Sequence, residues 1–503
     1  MADRQENDLE WEQGAQPTVL ETGVVFPDPP FVPGTVRVTI DRDEEFTLRL
    51  HSEGALPDYQ ELRRRHESYN AIPEGTFLDP VEVEFSAPSS KCCLKAHVNY
   101  VPSTEQRGRD RPRFSLDGRP VHFRRVWTTK AVVGADGEPA FAPVGPEAWR
   151  SDWYINGPHA TVYCRGTSRR REGTFKRERS MRVGNVTLRD WPTGGLSNFD
   201  HLGVDSTEAR FAFCEVPDGL APEWTSPASI EFPGPVPDAN VRDAVAEIVS
   251  FAIGRRLMRV GSSVFDASGT VIESEIINPW GQGIRRLCSY ADRSPFTYGQ
   301  PSDDMERLLA MLVPRYLGCR EQFGLQDALL TYWLASESFA LVDLALYSSA
   351  LESLKNGWFK STRSKSKGAH IPEEQFTAAL AEPLQQIDRI VTDKSLPAAI
   401  ARKIRGAFRM GSNEQLDAFF EEIGLRVGKV ERAAIQARNT PAHGGISAGA
   451  DQRKFARLGN AYRVLFERTL LKLLQYDGGY VDRTAPDHPV RHIDEPCAGN
   501  ATW

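Results

Sequence analysis

What this chain of 503 residues lacks already narrows its nature. No stretch supplies the ~18 consecutive apolar residues that a membrane-spanning helix needs. The opening, MADRQENDLEWEQGAQP, is acidic and has no apolar core of the signal-peptide kind. A cytoplasmic protein with no membrane partner is therefore expected. Cysteine is sparse: seven residues, at 92, 93, 164, 214, 288, 319 and 497, with no CxxC spacing. That pattern argues against a disulfide framework or a structural zinc site and for reduced, mostly buried thiols. A strong positive charge is also missing. A net charge of -7 and a pI near 5.9 exclude a protein that coats nucleic acid by global attraction, so any RNA contact must be local. No HxH, HExxH, DxD-type triad or Cys/His cluster is placed to bind a catalytic metal, and there is no Walker A loop or GxSxG elbow. No metal and no cofactor are expected.

Hydrophobic residues at 40% and charged residues at 26% describe an ordinary globular chain, and the length divides it into two or three domains. Residues 1–19 read as a flexible N-terminus. From 20 to 232 the text is strand-like, with VRVTIDRDEEFTLRLH, VEVEFS, CCLKAHVNYV, ATVYCRG, GNVTLRDW and ARFAFCEV set between Gly, Pro, Asp and Ser breaks. This predicts a β-rich, sandwich- or barrel-like module whose strand order is not readable. Residues 233–301 connect: a proline-rich joint, a helix in VRDAVAEIVSFAIGRRLM, a hairpin turning at Asp266 to Gly269, and a second joint, DRSPFTYGQPSDD. From 302 to 480 the period is helical. Residues 481–503, rich in Pro and Asp, read as a flexible tail. The expected class is α+β multidomain, a β-rich module followed by an all-α bundle.

Within the helical part, LQDALLTYWLASESFALVDLALYSSALESLKNGWF reads as one long buried helix, followed by a basic loop, KSTRSKSKGAH. Asp343 and Tyr347 are expected to form a buried hydrogen-bonded pair. Helices follow in PEEQFTAALAEPLQQIDRIV and PAAIARKIRGAFRM, and Ser412 with Gln415 has capping-box spacing for the next. Another helix, over 426–439, runs into RNTPAH. Asp451 is a candidate N-cap for a last helix with Phe455, Leu458, Tyr462, Leu465, Phe466, Thr469 and Leu473 on one face.

Three arginines are followed, after four to six residues, by a histidine: Arg363 with His370, Arg438 with His443, and Arg483 with His488. About that many arise by chance in such a composition, so setting decides. The first pair lies in a Ser/Lys/Gly loop and the last in the tail, where no packed shell is expected to fix either side chain. Arg438 instead closes a helix, is followed by Asn439, and the loop carries His443 toward a second long helix. A plainer role, closing the helix and bonding a carbonyl, fits the same residues. The densest basic run, RGTSRRREGTFKRERSMR at 165–182, offers Arg169, Arg170, Arg171, Lys176 and Arg177 as RNA contacts or, equally, a solvated hairpin edge.

The segment ARNTPAHG, at the junction of two helices in an all-α region, resembles the R-N-x-x-x-H signature of HEPN domains. YSSALESL, with Glu352, is similar to the helix such domains place beside the active site. A β-rich N-terminal part before such a bundle resembles ApeA-type HEPN proteins of bacterial anti-phage defence. The resemblance implies a dimeric endoribonuclease, a homodimer or higher homo-oligomer. Arg438, Asn439 and His443 would be catalytic, and Glu352 a supporting carboxylate or merely a helix residue. RNA, transfer RNA among the candidates, would be the substrate, and the β-rich domain would sense a phage-derived trigger or select the RNA, ending in abortive infection. Two other readings stay open: a non-catalytic HEPN-like nucleotide- or partner-binding dimer, and a receptor whose bundle only dimerises it.

Overall fold

The computed structural model describes residues 18–24, 36–42, 48–55, 81–87, 90–99, 113–127, 132–133, 139–140, 149–158, 162–163, 165–172, 176–183, 186–189, 195–215, 226–265, 271–279, 294–296, 304–338, 342–390, 400, 403, 409–438 and 452–499. The class is mixed α+β. Two compact units divide the chain, one drawn from residues 1–250, 255–292 and 298–310, the other from 251–254, 293–297 and 311–503. No helix among the described residues is long and apolar enough to cross a membrane.

The first unit centres on six antiparallel strands: β1 (Trp149–Ile155), β2 (Gly195–Asp205), β3 (Arg210–Glu215), β4 (Ala228–Pro233), β5 (Met258–Phe265) and β6 (Val271–Ile277). Their order across the sheet is β6-β5-β1-β4-β3-β2. Beyond β6 the pairing continues to strand Arg113–Trp127, and beyond β2 to the hairpin of Arg165–Glu172 with Lys176–Val183. The hairpin expected in SSVFDASGTVIESEI (262–276) is therefore present, its strands running over Met258–Phe265 and Val271–Ile277. Residues of β1 and β4 are buried on both faces, as strands in the middle of a covered sheet should be. Helix α1 (Ala239–Ile253) starts where Asp238 Oδ1 accepts the Val241 N–H (2.9 Å), an N-cap that uses one of the orphan amides of the first turn. It ends at Gly254, whose φ of 73° is the left-handed C′ conformation that glycine adopts without strain.

The sheet face carrying Arg150, Asp152 and Tyr154 is charged yet buried. Asp152 is fully buried and takes Arg150 Nε (2.7 Å) on its own strand and Arg242 Nε (3.2 Å) from α1. Ser262 on β5 lies opposite Asp152 on β1 and opposite Glu275 on β6, so the register lines these groups in one row. Glu275 accepts from His122 (2.7 Å), Arg150 (2.8 Å), Ser262 (2.9 Å) and Arg259 (3.3 Å). Burial disfavours its charged form, but the bond from His122 and the guanidiniums of Arg259 and Arg150 outweigh that and hold its carboxyl well below the usual range.

Among the described residues seven further helices follow: α2 (Asp304–Phe323), α3 (Leu325–Ser336), α4 (Asp343–Lys360), α5 (Glu373–Ile390), α6 (Ser412–Glu422), α7 (Lys429–Ala437) and α8 (Gln452–Leu473). The single helix expected over 325–359 is broken into α3 and α4. Serines make the break: Ser336 Oγ donates back to the Tyr332 carbonyl (3.1 Å) and Ser338 Oγ to that of Ala335 (2.9 Å), satisfying the last carbonyls of α3. Tyr347 pairs across the break with Ser336 Oγ (3.0 Å).

Each of the seven face residues expected on α8 is buried. Phe466 stacks on Tyr332 at 4.8 Å, and Arg463 and the Tyr332 hydroxyl share Glu467 Oε1 at 2.8 and 2.6 Å. The tail expected from 481 is instead packed through residue 499: Gly479–Val481 pairs with Val490–His492, and Asp482, Ile493 and Cys497 are buried. Arg468 Nη2 donates to the Ile493 carbonyl (2.8 Å), and Asp482 accepts the Ala498 N–H (2.7 Å), which explains the order. The expected helix in PAAIARKIRGAFRM, the Asp451 cap and the Asp266–Gly269 turn lie largely or wholly outside the described residues, as do the first 17 residues. Among the described residues Cys319 and Cys497 are buried free thiols.

Candidate functional site

Helix α7 buries Val430, Glu431, Ala434 and Ile435 and starts at Gly428, whose N–H is accepted by Glu431 Oε2 (2.6 Å). It ends two residues short of the expected 439, with Arg438 as its C-cap. Arg438 is buried to 9% exposure, and its guanidinium turns toward two other helices. Nη1 donates to Glu352 Oε1 on α4 (3.3 Å), and Nη2 donates to Ser412 Oγ at the start of α6 (2.7 Å). Ser412 Oγ in turn donates to the same Glu352 oxygen (3.3 Å), closing a triangle of three side chains from three helices.

The other Glu352 oxygen accepts Lys355 Nζ, which also donates to Gln415 Oε1 (3.0 Å). Lys355 is only 3% exposed, a position that an ammonium tolerates only when paired and hydrogen-bonded. Spacings of four and three residues put Ser348, Glu352 and Lys355 on one face of α4. Ser348 meets the Tyr462 hydroxyl of α8 at 3.3 Å. Burial pushes the Tyr462 phenol up, and its bonds with Ser348 and Arg438 offset part of that rise. The cluster thus holds two cations against one carboxylate. Glu352 keeps 27% of its side chain in solvent, so the cluster opens on one side.

The expected capping box shifts by one residue. Glu414, not Gln415, accepts the Gly411 N–H (2.7 Å), and Gly411 is the N-cap. Ser412 and Gln415 are thereby released to face Arg438 and Lys355. Lys355 was not singled out from the sequence, although it interrupts an apolar stripe of Leu344, Leu351, Leu354 and Trp358, which is a readable anomaly.

Asn439 and His443 lie outside the described residues. Arg169, Arg170 and Arg171 fall on strand Arg165–Glu172, and Lys176 and Arg177 on its hairpin partner, with Arg171 opposite Arg177. The first strand also pairs with β2 from Arg165 to Arg170, and the second pairs with Val186–Arg189 from Met181 to Val183. This hairpin belongs to the first unit and Arg438 to the second. The two other arginine–histidine pairs separate onto different partners: Arg363 sits over the Phe323 ring (5.4 Å) while His370 faces Glu414 (3.6 Å). Arg483 donates to the Ser294 carbonyl (2.5 Å), and His488 is exposed. The loops of both pairs are nonetheless held, contrary to expectation.

Among the described residues one exposed cluster, Asp477, His492 and Asp494, brings metal-ligating atom types within 4.8 Å of one another. Lys472 Nζ pairs with Asp494 (2.5 Å) and supplies a cation of its own there. Comparison of the chain with protein-family models, with curated proteins and with solved structures gave no match.

Proposed function

We propose that the chain is a metal-independent endoribonuclease of the HEPN type, acting in bacterial defence against phage. One observation carries the reading. Arg438, the residue that leads into Asn439 and His443, is held by Glu352 and Ser412 in a cation-rich cluster with one open side. A guanidinium has five N–H donors in a planar fork that matches phosphate, and two here are committed to Glu352 and Ser412. Fixing the fork in advance lowers the cost of aligning a phosphodiester.

RNA carries its own nucleophile. The 2′-oxygen attacks phosphorus and loses its proton to a base. The 5′-oxygen leaves with a proton from an acid, giving a 2′,3′-cyclic phosphate and a 5′-OH. Arg438 would hold the nonbridging oxygens as charge builds on them. His443, with an ordinary pKa of ~6.5, would serve as acid or base, and Asn439 would orient a neighbour. Two copies facing each other in a homodimer would supply a histidine to each side of the bond. Transfer RNA is the first substrate to inspect.

The rival reading, a non-catalytic dimer that holds a nucleotide or partner, is favoured by the two donors of Arg438 already in use. Cellular RNA examined after expression of wild type or His443→Ala, with and without phage challenge, separates them. Discrete fragments with 5′-OH ends from wild type alone are expected. Intact RNA in every condition, with both proteins folded and equally protective, would move the assignment to the binding module.

A further inference from the structure

The basic loop between α4 and α5 is built unlike an ordinary connector. From residue 353 to 372 the chain has no acidic residue, while Lys360, Arg363, Lys365, Lys367 and His370 are all exposed. Its backbone is nevertheless pinned. Glu422, at the end of α6, accepts the N–H groups of Lys365 (3.2 Å) and Ser366 (2.8 Å) together with Trp358 Nε1 (2.7 Å). Ser364 Oγ accepts the Lys367 N–H (3.1 Å), and Lys367 and Gly368 take left-handed φ values of 53° and 70°.

Glu422 thus bonds the backbone amides of the loop and none of its ammonium groups; Lys367 Nζ donates to the Ser361 carbonyl, Arg363 sits over the Phe323 ring and His370 faces Glu414, which leaves Lys360 and Lys365 to solvent. Among the described residues the ammonium groups of Lys360 and Lys365 have no hydrogen-bond or ion-pair partner. A rigid main chain with unneutralised cations along it is a surface prepared for a polyanion.

Its position ties it to the Arg438 cluster. Past its tip the loop runs along the start of α6: the Gly368 carbonyl accepts the Met410 N–H (3.1 Å), Ala369 bridges to Arg409, and His370 faces Glu414. Met410 is two residues, at most ~7 Å of backbone, from Ser412, which holds Arg438. We propose that the 360–370 loop is the phosphate track of the RNA site, binding the single-stranded backbone that flanks the phosphate held at Arg438. This rests on reading Arg438 as a phosphate site. The loop then governs affinity and salt dependence, while the bond-breaking groups stay elsewhere.

The test uses full-length protein carrying His443→Ala, so that RNA stays intact, and a fluorescently labelled single-stranded RNA of about 20 nucleotides followed by anisotropy over a salt series. Neutralising Lys360 and Lys365 together (Lys360→Gln, Lys365→Gln) should raise Kd about tenfold at 0.1 M salt. The plot of log K against log salt should become shallower by about 1.4, at about 0.7 for each phosphate of a single strand that is no longer neutralised. Lys429→Gln, an exposed charge at the far end of α7, serves as the control and should leave both unchanged. Unchanged affinity and slope in the double variant, an equal loss in the control, or no RNA binding by the parent protein would each overturn the proposal. Cleavage by the His443-intact protein is read separately. RNA bound through the loop but never cut would keep the phosphate track and remove the nuclease reading, and RNA cut with no effect of the loop variant would do the reverse.

Discussion

Two charged clusters, one in each compact unit, use the same residue types in opposite ways. In the sheet, Asp152 and Glu275, with Asp243 of α1, meet Arg150, Arg242 and Arg259, with His122 and Ser262 completing the shells; Asp152 is fully buried and Glu275 keeps 14% of its side chain exposed. In the helical unit, Glu352 alone faces Arg438 and Lys355, and a quarter of its side chain meets water. A network of balanced charges fixes one packing of helix on sheet. An open cluster with surplus positive charge retains a capacity to bind an anion. Burial and pairing alone therefore do not mark a functional site. The informative difference is the ratio of cations to carboxylates and the side left open.

The comparison breaks most visibly at Asp152. In Asp152→Ala, Arg242 keeps only its bond to the Pro237 carbonyl, and Arg150 is deprived of its shortest carboxylate bond, both in a buried setting. Removing one partner of a buried ion pair costs about 3–5 kcal/mol. Urea unfolding of the β-rich unit, followed by tryptophan fluorescence, should shift by that amount. A shift under ~1 kcal/mol would mean that water reaches the pair and that the contrast between the clusters is false.

Lys355→Met sharpens the contrast from the other side. Methionine fills the volume of the lysine stem, and Glu352 keeps Arg438 and Ser412 as partners. Water at the open side can take the place of the missing ammonium. The expected destabilisation is about 1–3 kcal/mol, the cost of one buried hydrogen-bonding group left short, and clearly less than at Asp152. Loss of RNA cleavage beyond what that destabilisation explains, restored by Lys355→Arg, would make Lys355 a positioning residue for Glu352.

Much of the helical unit was legible because its signals are local. The 3.6-residue period of α8 names its buried face residue by residue, and Arg438 falls at a helix end as the text before RNTPAH implies. The break between α3 and α4 was hidden because apolar residues continue on both sides of it, and the interruption comes from serine hydroxyls turning back on carbonyls. The cap of α6 was displaced because Gly411 carries no side-chain signal, while the Glu414 carboxylate that caps it is ordinary surface text. Strand order in the sheet was unreadable for a different reason. β1 pairs with strands roughly 75 to 115 residues further along the chain, and no local pattern encodes such a distance. The partners of Glu352 and Lys355 were likewise set by tertiary contact: Ser412 and Gln415 lie about 60 residues further along the chain.

A third carboxylate, Glu422, stands between the two extremes and yields the smallest effect. It is half-buried, and its partners are backbone amides, the Trp358 indole and the hydroxyls of Ser366 and Ser364, with no opposing formal charge in its bonds. Burial works against its ionised form, but the bonds from Ser366 and Trp358 prevail and bring its pKa from the ordinary 4.5 down to about 2. A carboxylate whose folded pKa is depressed stabilises the fold above its unfolded pKa, and that contribution fades as pH falls through the folded value. Glu422 therefore supports the 361–368 loop fully above pH 4.5 and loses its grip between pH 4.5 and about 2. Amide exchange at Lys365 and Ser366, corrected for intrinsic rates, should show protection falling across that window in wild type. In Glu422→Gln the same amides should be less protected at pH 6 and flat below it, because an amide oxygen still accepts a bond but carries no charge to lose. Identical pH dependence in the two proteins would assign the loop's order to its serine hydroxyls instead and leave the amide-bound carboxylate without a role in exposing the lysines.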